Sequence, residues 1–269
     1  MLFVLVFFIS LYSSISSLQC YHNCSLIYSM YETNLMSTTN CSLISMDRCS
    51  VKLIFWYQRY EYIVTYPGEF FNDPYVNDNR QFLMIETGLT NKFFSYDINF
   101  VCKDQDNCAH IYAQKRIIEM TQRTYNLSRI YNDLEKILQR YHHSSNDLAC
   151  FDTNEAIRQC AISNLIGSCQ IVDDLVKRKL HRRSCQRSSH ESASVNIYDS
   201  GSSALMTVKC NRMLCNGPLT IEAVKKVLKY YNLTDINGRL PGKSSSISSM
   251  SVLLFFAIIR FFFFFSLFL

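Results

Sequence analysis

VKLIFWYQRYEYIVT, residues Val51–Thr65, and FSYDINF, residues Phe94–Phe100, decide the fold class. The first is dense in β-branched and aromatic side chains, which fit a pleated, half-buried surface. In the second, Phe94, Tyr96, Ile98 and Phe100 alternate with Ser95, Asp97 and Asn99, the period-two pattern of a strand with one buried face. Pro67-Gly68 and Asn72-Asp73-Pro74 punctuate the loop between them, Gln81–Glu86 reads as a further strand, and Gly88 turns the chain into the last one. The region is therefore a small antiparallel sheet. Trp56 and the tyrosines around it read either as an exposed binding patch or as strand packing, and aromatic residues within strands favour packing.

Working outward, the pattern changes to a helical one from Ala109 to Tyr141, with Ile130, Leu134, Ile137, Leu138 and Tyr141 on one face. An unbroken helix would place the glycosylation sequon at Asn126 on that apolar face, where a glycan has no room. The helix is expected to break, with Ser128 as the cap of its second part. Further on, Asn154–Leu180 reads as helical, Ala204–Val208 as a short strand, and Ile221–Tyr231 as a terminal helix after Pro218 and the cap candidate Thr220. Lys225, Lys226 and Lys229 give this last helix a basic face, read as solvated.

Twelve cysteines fall into two groups of six. Cys20, Cys24, Cys41, Cys49, Cys102 and Cys108 form the first, and Cys150, Cys160, Cys169, Cys185, Cys210 and Cys215 the second. An even count in an oxidising compartment reads as disulfides. No C-x-x-C pair occurs, so a zinc site, and metal generally, is not expected. Among the many pairings open to twelve cysteines, the short-range ones, Cys102–Cys108 and Cys210–Cys215, stand out.

The compartment is read from the two apolar ends. Leu2–Ile9, followed by the small residues Ser14 and Ser16, reads as a signal peptide removed after Ser16 or Ser17. Val252–Leu269 is apolar apart from Arg260 and Ser266. An arginine near the middle of a spanning helix costs about 2.5–3.5 kcal/mol, and basic residues on the cytoplasmic flank are expected of a type I span. A glycosylphosphatidylinositol (GPI) attachment signal fits the order of small residues, polar spacer and apolar tail. Ser244 is the expected attachment residue, with Gly242 as the alternative; a single-pass type I span is the competing reading. Four sequons accompany these signals, at Asn23, Asn40, Asn126 and Asn232. In the first two, cysteine occupies the middle position, and disulfide closure competes with glycan addition.

The remaining conspicuous run is Lys177-Arg178-Lys179-Leu180-His181-Arg182-Arg183, with Arg187 beyond it. Clustered cations bind polyanions, and outside the cell that means a sulfated glycan rather than nucleic acid. A solvated loop and a dibasic processing site after Arg183 are the other readings. Nucleophile-elbow, zincin, Walker and dinucleotide patterns are absent, and seven glycines leave little for phosphate loops. No enzyme and no cofactor are expected. His142-His143 read as loop.

The edges of the cysteine region, Leu18-Gln19-Cys20-Tyr21 with Cys24 at one end and Cys210-Asn211-Arg212-Met213-Leu214-Cys215-Asn216 at the other, resemble those of the Ly6/uPAR three-finger family. The likeness is confined to these edges. It implies a β-rich, disulfide-bonded binding module, secreted or GPI-anchored, without catalysis. The expected protein is α+β and disulfide-rich. It has a signal peptide (1–17), a β-rich cysteine lobe (18–108), a helical connector (109–149), a mixed second lobe (150–216), a terminal helix and stalk (217–243), and an anchor signal or span (244–269). Its expected role is binding or adhesion at the cell surface, with an extracellular protein or sulfated glycan as partner. The alternative is a shed or secreted polyanion-binding factor.

Overall fold

The computed structural model describes residues 17–32, 38–39, 41–68, 79–88, 92–139, 148–160, 166–188 and 193–241, without the side chains of 166, 187 and 188. In chain order the elements are β1 (Leu18–His22), β2 (Cys24–Ser29), β3 (Ser42–Met46), β4 (Cys49–Trp56), β5 (Glu61–Tyr66), β6 (Arg80–Thr87), β7 (Lys92–Cys102), α1 (Cys108–Thr121) and α2 (Leu127–Leu138). There follow β8 (Ala149–Phe151), β9 (Ile157–Gln159), β10 (Ile166–Asp174), β11 (Lys179–Ser188), β12 (Ser194–Asp199), β13 (Ala204–Cys210) and α3 (Pro218–Tyr230). The chain is mostly β, so the expected α+β class fits only loosely.

Nine strands form one antiparallel sheet in the order β11-β10-β13-β12-β6-β7-β4-β5-β2, and β1–β3 and β8–β9 form small separate ladders. The sheet runs through both cysteine groups. Its junction is β6–β12, in register from Ser194 opposite Glu86 to Asp199 opposite Gln81. All six disulfides, by contrast, stay within a group: Cys20–Cys49, Cys24–Cys41 and Cys102–Cys108 in the first, Cys150–Cys169, Cys160–Cys185 and Cys210–Cys215 in the second.

Alternation along the strands sets the two faces. Val51, Leu53 and Phe55, like Leu83 and Ile85, Phe94, Tyr96 and Ile98, and Val195 and Ile197, are buried. The helices pack on that side, α1 over β4 and β7, and α2 over β6 and against α3. Lys52, Ile54 and Trp56, with Phe82 and Met84, lie on the other face and are half-buried. Trp56 therefore sits away from the helical core, with the Arg59 guanidinium 5.0 Å from its ring, whereas its neighbours Tyr57 and Tyr62 are buried.

The expected break in the connecting helix falls at 122–126, but its cap differs. Asn126 itself caps α2, its side chain accepting a hydrogen bond from the Arg129 amide at 3.1 Å; Ser128 is the second residue of that helix. Asn is among the strongest N-caps, and a start two residues earlier, with Asn126 at the cap, suffices to free the sequon. Asn126 is exposed, and capping uses only its Oδ1, leaving Nδ2 for a glycan.

The described residues of Asn154–Leu180 are not helical. The Asp152 carboxylate accepts hydrogen bonds from the Asn154 and Ala156 amides, both at 2.9 Å, and Glu155 has φ 64°, so the segment begins in a tight turn. Cys169 is then pulled to Cys150, and β10 becomes an interior strand between β11 and β13. A Cβ on Gly167 would stand 2.7 Å from Cys160 Sγ; this glycine lets the Cys160–Cys185 bridge lie against the sheet. At the terminal helix, Gly217 is the cap and Pro218 the first residue, in place of Thr220.

Candidate functional site

The basic run folds as a hairpin. β10 and β11 pair from Ile166–Ser188 to Asp174–Lys179, with 175–178 as the turn and a register shift after Val172. Asp174 shapes the turn by accepting from the Val176 and Lys177 amides at 3.1 and 2.9 Å. The Lys177 amide leads the interactions that hold its carboxyl below the usual range. Arg178 completes the turn with φ 53°.

Beside the hairpin lies a cleft of about 370 Å³ whose opposite wall is α3 and the segment after it. Ile171, Leu175 and Ile221 give it an apolar lining. Arg178, Lys179, Arg183 and Lys225 supply positive charge, against Asp173 and Glu222. Lys225 is bound to Asp173 at 2.7 Å and to Glu222 at 3.5 Å, so it belongs to an ion-pair network rather than the solvated face expected for it. Arg183 is 5% exposed, donates to Glu155 at 2.8 Å and stacks its guanidinium over Phe151. Among the described residues, Arg178 and Lys179 have no carboxylate partner, and they are the cations the cleft offers to a ligand.

The structure thus divides the sequence cluster. Arg178, Lys179 and Arg183 reach the cleft. Arg182 is exposed but pairs with Val172 while Arg183 pairs with Ile171, so it projects from the other face of the sheet. Lys177 is engaged by Asp174 at 3.5 Å, and the side chain of Arg187 lies outside the described residues. Arg183, buried and hydrogen-bonded in a strand, is no accessible processing site in the folded chain. The wall contributed by α3, Lys225 above all, was invisible in the run itself, since it comes from about forty residues further on.

Asn23, Asn126 and Asn232 are all exposed, and Asn40 lies outside the described residues. The segments 1–16 and 242–269, which carry all but the last residue of the expected signal peptide, the attachment candidates Gly242 and Ser244, and Val252–Leu269, also lie outside them, as do His142 and His143. Among the described residues no helix is long and apolar enough to cross a membrane. Potential metal ligands gather at Cys150, Cys160 and Cys185 and at Cys102, Asp104 and Cys108. The sulfurs there are all committed to disulfides. No protein-family model matches the chain, and no curated protein matches it.

Proposed function

We propose that the protein is an exported, N-glycosylated binding module of the cell surface, without catalytic activity, anchored by a lipid at Ser244 and holding a sulfated glycan at its cationic cleft. One observation carries the reading: all twelve cysteines are joined in six disulfides with no free thiol, a state that fits the secretory route and extracellular face. The Ly6/uPAR-like edges support the same assignment. Arg178 and Lys179, beside an apolar lining, supply the charge a sulfate recognises.

The test is expression of the full chain in animal cells, with phosphatidylinositol-specific phospholipase C applied to intact cells. Release into the medium is expected. Retention of the protein with Val252–Leu269 still attached would replace the lipid by a single span and leave the rest of the reading standing. Free thiols in the displayed protein would overturn it. The glycan is tested on immobilised heparin: retention beyond about 0.3 M salt, where surface charges alone are strongly screened, should vanish in Arg178→Ala/Lys179→Ala. Elution of the unaltered protein at low salt would remove the glycan.

A further inference from the structure

The sheet face turned away from the helices holds a second cavity, of about 290 Å³, lined by Lys52, Arg80, Phe82, Asp97, Asn99 and Tyr198. These residues come from four strands and occupy two adjacent cross-strand rows. Lys52, Asn99 and Arg80 lie opposite one another across β4, β7 and β6; Asp97, Phe82 and Tyr198 do so across β7, β6 and β12. Side chains on one pleated face at such positions converge.

One oxygen of Asp97 lacks a donor. Its Oδ1 is buried without a hydrogen-bond partner, and a buried acceptor in that state is costly unless something donates to it. Burial pushes the carboxyl up to about 6, even against the Lys52 charge, a Ser95 hydrogen bond and the Arg80 charge. Next to it, Phe82 and Tyr198 form an aromatic wall, suited to the C–H face of a ring. Among the residues lining the cavity, two cations, Lys52 and Arg80, stand against one carboxylate. Its volume is at the low end for ligand pockets, about 300 Å³, which suits one ring rather than a chain.

We propose that this cavity binds a carboxylated pyranose, a sialic or uronic acid residue, with a ring hydroxyl donating to Asp97 Oδ1, the ring against Phe82 and Tyr198, and the carboxylate toward Lys52 and Arg80. The site is on the opposite face of the sheet from the cationic cleft and does not depend on it.

The experiment displays the full chain on sialidase-treated animal cells and stains them with fluorescent polymers carrying N-acetylneuraminic acid or glucuronic acid. The same polymers with each carboxylate reduced to an alcohol serve as controls. At least one acid polymer should bind tenfold or more better than its reduced form, and Asp97→Asn and Tyr198→Leu should each lower that binding about tenfold at equal antibody staining. Preference for the neuraminic polymer assigns the source to glycoprotein termini, and preference for the glucuronic polymer to glycosaminoglycan. In the Arg178→Ala/Lys179→Ala background, where the cationic cleft no longer contributes, the preference for the acid polymer and the losses from Asp97→Asn and Tyr198→Leu should persist. No staining, equal staining by acid and alcohol, or staining indifferent to the substitutions would each overturn the proposal; if Asp97→Asn does not reach the surface, Tyr198→Leu decides.

Discussion

Asp97 lies in the period-two strand pattern as one polar alternate among three, yet its environment separates it from Ser95 and Asn99. The folded chain holds its proton up to about 6, against an ordinary value of 3.8. Across that window the folded state binds more protons than the unfolded one, so the unfolding free energy falls as pH rises. Keeping the group ionised costs the folded state on the order of 3 kcal/mol. Part of that returns in Asp97→Asn, which should be about 1–2 kcal/mol more stable than the parent at pH 7.5. The advantage should disappear below pH about 4, where the acid is protonated in both states. Thermal melts of the two proteins across that range read the difference. His110, whose pKa burial lowers, loses stability in the opposite direction as pH falls, so the pairwise difference rather than either curve isolates Asp97. Arg183 makes the second residue-scale case. Arg183→Ala removes a buried guanidinium stacked on Phe151 and should cost about 2 kcal/mol, whereas Arg178→Ala, at the turn, should stay within about 0.5 kcal/mol. Denaturation midpoints of the two variants separate these roles, and equal losses would mean that Arg178 is structural as well.

At the scale of elements, local pattern was a good guide where a strand or helix answers to its own sequence. Val51–Thr65 divides into β4 and β5 about the turn 57–60, and Ala204–Val208 lies within β13. Asn154–Leu180 failed because its structure is imposed from outside, by two disulfides and by strands on both sides of β10. Periodicity carries no record of such partners. The same region supplies a test: Gly167→Ala should lower stability by about 1–3 kcal/mol, because its new methyl meets Cys160 Sγ and backbone. If the melting temperature is unchanged, the bridge has room to move. The break between α1 and α2 is tested at Asn126. Asn126→Asp removes the sequon but keeps an acceptor for the Arg129 amide, while Asn126→Ala removes both and should cost about 1 kcal/mol more. Glycopeptide mass spectrometry of the parent shows whether Asn126 carries the proposed glycan, and the difference in unfolding free energy between the two variants reports the cap.

The division into two cysteine groups was legible in spacing alone, and every disulfide respects it. The continuity of the sheet across the groups was not, because β6 and β12 are more than a hundred residues apart and backbone pairing leaves no signature of its partner. That junction is also tied outside the sheet. Thr87 Oγ1 donates to Ala193 O and accepts from Gln139 Nε2; the Asn211 amide donates to Leu138 O; and Tyr231 Oη donates to Asp133 at 2.8 Å. Separating the halves would expose the apolar edge of β6, with Leu83 and Ile85 on its buried face, and open sheet edges of that kind aggregate. Covalent staples therefore act within each half, while hydrogen bonding and burial act between them. The expected consequence is one cooperative unfolding transition with the disulfides intact. Trp56, the single tryptophan, reports on the first half through fluorescence, and hydrogen exchange of β10 and β13 amides reports on the second. Coincident denaturant midpoints would show that the junction couples the halves. Separated midpoints would make each disulfide group its own folding unit, with β6–β12 as a docking contact between them.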